Sequence, residues 1–266
     1  YSSLELVDNF EDLKHELVRE AMRVTGVTSG VEITTIADIP SRGTGLGSSS
    51  TVTVGLLNAL HKFAGHDASP HQLAEEACSI EIEVLNQPIG RQDQYAAAFG
   101  GVNSISFDSN GVSVDPIPVN CESKIREEFT LVFTGLSRSA SEVLKEAPDD
   151  PDDKLNRLRE IRNQADIAEE YLNSCKLSEL GVLLGDAWKE KRGISAAVSG
   201  SEIDSLHDEI MSLGASGAKL LGAGGGGFFL VHGESSLRKR LEKLEGKNRL
   251  IPLGMDHKGS TIIFEG

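Results

Sequence analysis

Residues 31–36 alternate apolar and polar side chains, the period-2 pattern of a strand with one buried face. Residues 17–25 before it predict a short helix. After a glycine-rich stretch without helical period, residues 48–50 open a helix with Val52, Leu56, Leu60 and Phe63 on one face. Ser69 before Pro70 marks another helix start, with serine as N-cap and proline in the first turn. That helix is expected to reach Leu85 and to end at Pro88, Ile89 and Gly90. Gly100 and Gly101 turn the chain into a strand over residues 102–107. Further strands are predicted at 129–133, 218–221, 228–231, 250–253 and 261–264, with helices at 154–174, 177–189, 203–213 and 237–244. Residues 147–153, APDDPDD, read as an exposed acidic loop. No internal repeat is evident. A weak boundary lies at residues 115–128, so the expected fold class is α+β in two domains, 1–120 and 121–266.

The helix from Ser69 carries one carboxylate on its apolar side. Leu73, Ala74, Ala77, Cys78, Ile80, Val84 and Leu85 form an arc, and at about 100° per residue Glu81 falls near its middle. Glu75, Glu76 and Glu83 fall towards solvent. A buried ionised carboxylate is costly unless it is paired or binds a metal. Glu81 is therefore at the edge of the buried face, paired with an arginine, or a ligand to Mg²⁺, which takes one or two carboxylates with phosphates and water. Asp93, beside Arg91, Gln92 and Gln94, is expected in a loop. Amides and a cation around it suit a carboxylate kept ionised to orient a hydroxyl for attack. A turn or cap aspartate is the plainer alternative.

Two glycine-rich stretches stand out. The first, PSRGTGLGSSS over residues 40–50, alternates Gly43, Gly45 and Gly47 around Thr44 and Leu46 and then enters a helix through Ser48, Ser49 and Ser50. Alternating glycines let the backbone approach a ligand closely. The helix start presents N–H groups and a positive dipole end to an anion. Serine hydroxyls there can donate to phosphate or bind Mg²⁺, and Arg42 adds a cation. A strand–turn–helix connector with serine caps is the alternative for a lone GxGxG. The second stretch, KLLGAGGGGF over residues 219–228, contains a literal GxGxxG. A dinucleotide fold needs a helix after such glycines, whereas Phe228, Phe229, Leu230 and Val231 read as a strand. Gly224, Gly225 and Gly226 are either a structural hairpin or a close approach to substrate or phosphate. No G-x-x-x-x-G-K-[ST] occurs, which argues against a P-loop nucleotidase.

Composition narrows the partners. The 266 residues hold 26 Lys plus Arg against 41 Asp plus Glu, a formal charge of −15. Such a surface repels nucleic acid and anionic membranes, so a polyanion site must be built locally. No apolar run approaches the ~20 residues that span a bilayer, and no signal peptide opens the chain. Cys78, Cys121 and Cys175 are odd in number and lack CxxC spacing, which fits a reduced, cytoplasmic protein better than a disulfide scaffold or zinc site.

Together the two glycine stretches, in order and about 180 residues apart, resemble the GHMP kinases. Residues 40–50 are similar to the family's P-x-x-x-G-L-G-S-S-[AS] motif, and residues 219–228 to its K-L-x-G-A-G-G-G-G motif. The resemblance implies a ribosomal-protein-S5-like domain followed by a ferredoxin-like α+β domain. It implies ATP wrapped by residues 43–50, Mg²⁺ on Ser49 or Ser48 and on Glu81, seven residues before Pro88, and a catalytic Asp93, five residues after Pro88. Residues 88–101 most resemble the branch that phosphorylates D-glycero-D-manno-heptose 7-phosphate. There Arg138, which can grip phosphate in bidentate fashion, is expected to bind substrate, with Arg91, Gly224, Gly225 and Gly226. A P-L-R-x-x-x-x-G-G-G-T-D type motif opens family members, and nothing like it precedes Tyr1. The resemblance thus implies an ATP- and Mg²⁺-dependent sugar kinase, with a homo-oligomer left open. Other acceptors (a hexose, mevalonate or homoserine) and a non-catalytic nucleotide-binding relative are the alternatives.

Overall fold

The computed structural model describes residues 4–38, 43–137, 140–144, 150–244 and 250–265. Two compact units emerge. The first comprises Tyr1–Ile39, Gly47–Asp115 and Asp256–Gly266, and the second Pro40–Leu46 and Pro116–Met255. Among the described residues no helix is long and apolar enough to cross a membrane.

The first unit is mainly helical. A 3-10 turn at Phe10–Asp12 leads into α1, Glu16–Thr25, which ends on Gly26 in the left-handed conformation. α2 spans Ser48–Phe63 and α3 spans Pro70–Cys78. As expected from Ser69 and Pro70, the Ser69 hydroxyl accepts from the Gln72 N–H at 3.2 Å. The α-helix does not continue to Leu85. It widens at Ser79–Val84 into a π-helical turn, so the Leu85 N–H reaches the Ile80 carbonyl. Such turns are rare and occur often at functional sites. α4, Gln92–Phe99, then packs on α3 and α2. Leu57, Leu73, Ala77, Ile80, Tyr95 and Ala98 form the core between these helices. The unit's two-stranded sheet pairs β1, Asn103–Asp108, with β2, Gly111–Pro116.

Two predicted strands are absent here. Residues 31–36 have the alternating pattern, and Val31 and Ile33 do pack on the core, but no described strand lies beside them to complete a ladder. Residues 261–264 likewise form no ladder, and Ile263 and Phe264 are 96% and 81% exposed. That segment is tied to α2 by side chains, Asn58 to Ser260 at 2.9 Å and Lys62 to Glu265 at 2.8 Å.

The second unit is a four-stranded antiparallel sheet with helices. α5, Glu122–Glu128, leads into β3, Phe129–Phe133. α6 is Ala140–Leu144 and α7 is Pro151–Asn173. The expected acidic loop is thus partly helix. Asp150 caps α7 by accepting from the N–H groups of Asp152 and Asp153, and Pro151 starts its first turn, while residues 147–149 lie outside the described ones. α8, Leu177–Arg192, a 3-10 turn at Ala196–Val198 and α9, Ser201–Ser212, precede β4, Gly217–Leu220. β5 is Phe228–His232, α10 is Leu237–Leu241 and β6 is Leu250–Pro252. The strand order is β4-β5-β3-β6, with Lys219 opposite Leu230 and Leu131 opposite both Leu230 and Ile251. Trp188 of α8 meets Phe229 edge-on at 5.7 Å, over a core with Val132, Ile210, Leu220 and Val231.

Glycine decides how closely α8 approaches the sheet. A Cβ on Gly217 would stand 1.9 Å from the Gly181 carbonyl oxygen. Gly217→Ala must therefore separate α8 from β4, and overpacking of this kind costs about 1–3 kcal/mol. Urea unfolding is expected to show a lower midpoint with an unchanged slope. An unaltered midpoint would mean that this contact is not tight.

Candidate active site

In the first unit the first glycine stretch ends on Gly47, whose φ of 66° makes it a left-handed N-cap of α2. As a glycine, Gly47 supplies no side-chain cap. The dipole end of a helix start favours an anion. The three serines occupy its first turn. The Ser49 hydroxyl donates to Glu81 Oε2 at 2.9 Å, and Ser50 approaches the same oxygen at 3.5 Å. Gln94 Nε2, from α4, donates to Glu81 Oε1 at 3.2 Å.

Glu81 sits in the π-helical turn and is 1% exposed. The apolar arc put it on the buried face, and the structure places it there. Its partners are neutral donors, with Thr53 adding to Ser49, Gln94 and Ser50, so among the described residues no arginine pairs with it. Burial pushes its carboxyl above the ordinary value of 4.5, and the four donors only partly oppose that. The buried Gln94 Oε1 beside it has no hydrogen-bond partner. A desolvated carboxylate, serine hydroxyls and an unpaired amide oxygen make a hard-oxygen donor set suited to Mg²⁺. Among the described residues no three His, Cys, Asp or Glu gather as metal ligands. A cation here would take its other ligands from phosphate and water.

Asp93 is not in a loop. It occupies the first turn of α4, because the chain re-enters helix at Gln92 directly after the Pro88-Ile89-Gly90 bend. Its carboxyl lies against Gly47, where a Cβ would stand 3.2 Å from Asp93 Cγ. Burial raises its pKa, opposed by Gln92 at 3.4 Å. Arg91, the residue before α4, is exposed and pairs with Glu75 at 3.6 Å. Arg138 lies outside the described residues, as do Pro40, Ser41 and Arg42.

The second unit holds the rest of the first glycine stretch. Gly43 and Gly45 have φ of 68° and 71°. Gly45 packs against the second stretch so closely that its Cβ would be 2.8 Å from the Leu221 carbonyl oxygen. The Phe228 N–H donates to the Thr44 carbonyl at 3.2 Å. Leu46 is half-buried in this turn. Gly224, Gly225 and Gly226 are buried. The Gly225 N–H is spent on the Val198 carbonyl, and a Cβ at Gly226 would meet the Leu136 carbonyl at 2.9 Å. Gly225 also borders a cleft of about 490 Å³ with Ser137, Ser199 and Ser201 on its wall.

Sequence reasoning named Ser49, Glu81 and Asp93 but not Gln94 or Thr53, which hold Glu81. Recognition of α4 would have found Gln94, since it follows Asp93 in the same helical turn. Lys191 of α8 was also missed. It donates to the carbonyls of Leu220 and Gly222 at the root of the second glycine stretch, and a basic run at a helix C-terminus otherwise reads as a solvated end.

A family model described as the GHMP kinases N terminal domain matches residues 13–101, and one described as GHMP kinases C terminal matches residues 168–248. A D-glycero-alpha-D-manno-heptose 7-phosphate kinase of Campylobacter jejuni is 30% identical over 89% of this chain and 70% of its own length. A bifunctional fucokinase/GDP-fucose pyrophosphorylase of Arabidopsis thaliana is 29% identical over 85% of this chain, which spans only 23% of that protein. The crystal structure of a D-glycero-D-manno-heptose 1-phosphate kinase of Bacteroides thetaiotaomicron shares the fold, with a TM-score of 0.70 at 24% identity over 97% of this chain and 76% of that one. With both family domains matched in order along a mixed helix-and-sheet fold, this chain belongs to the GHMP kinases.

Proposed function

We propose that the chain is an ATP-dependent kinase that transfers the γ-phosphate to the anomeric hydroxyl of D-glycero-D-manno-heptose 7-phosphate, giving the 1,7-bisphosphate. The observation that carries the reading is the convergence on the start of α2, where Glu81 bonds Ser49 and Asp93 lies against Gly47. The acceptor is taken from the 30% identical heptose 7-phosphate kinase.

Phosphoryl transfer depends mainly on positioning and electrostatics. In this reading the backbone N–H groups of residues 43–50 hold the nucleotide phosphates, and Ser49 and Glu81 hold Mg²⁺. When bound, that ion neutralises charge on the phosphate oxygens. Asp93 accepts the proton of the sugar hydroxyl as its oxygen bonds to the γ-phosphorus and ADP leaves. A carboxyl raised by burial is nearer the working pH, which favours a base. Arg138 and the cleft beside Gly225 are proposed for the acceptor. Arg91 can contribute only by giving up Glu75.

Turnover is read as ADP release with Mg-ATP and a panel of heptose 7-phosphate, galactose, fucose, mevalonate and homoserine. Release with the heptose phosphate alone is expected. Turnover of another acceptor would reassign the substrate, and nucleotide binding without any turnover would favour a binding-only relative.

Asp93→Ala is expected to keep ATP binding and to lower kcat by about 10²-fold or more. Near-wild-type kcat would remove Asp93 from the reaction.

Glu81→Gln is expected to separate stability from activity. Burial raises Glu81 above 4.5, so the folded chain binds its proton more tightly than the unfolded chain. The sign follows: stability is lost as pH rises from about 4.5 through the raised value. The amide removes that penalty while still accepting from Gln94 and donating to Ser49. At pH 8 thermal unfolding should rise by about 2–4 °C per kcal/mol recovered, while Mg²⁺-dependent turnover falls. A lower Tm in the variant would contradict the desolvation account.

A further inference from the structure

Lys191 and Lys219 are an unneutralised pair of cations in the second unit. Lys191, in the last turn of α8, donates from Nζ to the Leu220 carbonyl at 2.8 Å and also to the Gly222 carbonyl. Gly222 is the residue that meets the first glycine stretch, since its Cβ would stand 2.5 Å from Gly45 Cα. Lys219 lies on β4, one residue before Leu220, and its charge opposes that of Lys191. Burial first, and Lys219 second, pull the Lys191 ammonium down to about 7, and burial lowers Lys219 as well.

Among the described residues the surroundings supply no anion. Of the described charged groups on the elements packed against α8, only Lys219 acts on Lys191. Arg157 of α7 is taken by Asp153 and Glu190, and His232 of β5 bonds Glu128. On α8 itself Lys189 pairs with Asp186 and Arg192 with Asp204. In a chain with 41 acidic residues, no described carboxylate is placed to neutralise these two lysines. Two desolvated like charges cost free energy, and that cost falls when an anion joins them.

We propose that Lys191 and Lys219 form a cationic subsite for a phosphate group bound at the glycine loops, and that this phosphate binds together with one proton taken up at Lys191. The inference rests on the phosphoryl-transfer reading above, but it is tested by binding rather than turnover. A neighbouring phosphate raises the affinity of Lys191 for its proton. Below about pH 7 the free protein increasingly carries the charge already, so phosphate affinity levels off between there and about pH 6, where the phosphate itself begins to protonate. Above about pH 7 the proton must be drawn from solution, and affinity falls by up to about tenfold per pH unit.

Calorimetric titration of the full chain at pH 8, in two buffers of different ionisation enthalpy, measures the uptake. The ligands are metal-free ADP and heptose 7-phosphate, with adenosine and unphosphorylated heptose as controls. Uptake approaching one proton is expected with one phosphorylated ligand and with neither control. Uptake with ADP assigns the subsite to the nucleotide, and uptake with the sugar phosphate assigns it to the acceptor. Lys191→Arg keeps a donating cation that does not titrate, so it should bind without uptake and lose the fall in affinity above pH 7. Lys191→Met should weaken binding at least tenfold at pH 6.5. Lys219→Met leaves Lys191 in place but removes its repulsion, and should move the fall to higher pH. Binding without uptake in the wild-type protein, or equal uptake in Lys191→Arg, overturns this inference and leaves the kinase reading standing. Failure of both phosphorylated ligands to bind overturns the two together.

Discussion

A carboxylate that has lost almost all of its water constrains the first unit. Removing an ion from water costs several kcal/mol even after relaxation, so Glu81 must be met by donors on every side that it presents. Ser49 and Ser50 come from α2, Gln94 from α4, and the π-helical turn supplies the carboxylate itself. Three separate elements are therefore held in register by one side chain. The small residues Ala74, Ala77 and Ala98 let them pack closely enough for those bonds to form. The remaining penalty is visible as a raised Glu81 pKa and an unpaired oxygen on Gln94. A structure optimised only for stability would place an apolar side chain there. The retained carboxylate has a use if a cation and its phosphate ligands complete the site.

The second unit is constrained by backbone contact instead. Thr44 and Gly45 lie against Leu221, Gly222 and Gly227 with no room for a Cβ at the glycines. The hydrogen bond from the Phe228 N–H to the Thr44 carbonyl fixes the register of that contact. Both glycine-rich stretches are consequently parts of one packed backbone arrangement. The two matched domains establish the chain as a GHMP kinase, and each of the two stretches limits what the other can be.

Much of the site was legible because it follows from periodicity. The arc around Glu81 required only the helical repeat, and a π-helical turn starting at Ser79 is too close to Glu81 to move it off the buried face. Most helices and the strands of the second unit were equally readable, since β3 and β5 are largely apolar runs, broken only by Thr130 and His232, in a largely buried sheet. The failures came from partners that local pattern does not contain. Residues 31–36 and 261–264 have strand composition but lack a described strand beside them, and a ladder needs two. α4 was hidden because a proline and a glycine immediately before it read as the opening of a loop, when they only turn the chain between two helices. Lys191 was invisible for a similar reason. Its significance depends on two carbonyls 29 and 31 residues away.

The electrostatics of the two units share one logic. Burial raises Glu81 and Asp93 in the first unit and lowers Lys191 and Lys219 in the second. Each of the four is moved towards its neutral form in the free protein. An acidic chain could have neutralised both lysines with surface carboxylates, and a few basic residues could have been placed beside Glu81. Among the described residues neither was done, although Arg91, Arg157 and Arg192 are all engaged in ion pairs elsewhere. Groups left short of counter-charge gain most when a ligand brings it, because the desolvation cost has already been met in folding.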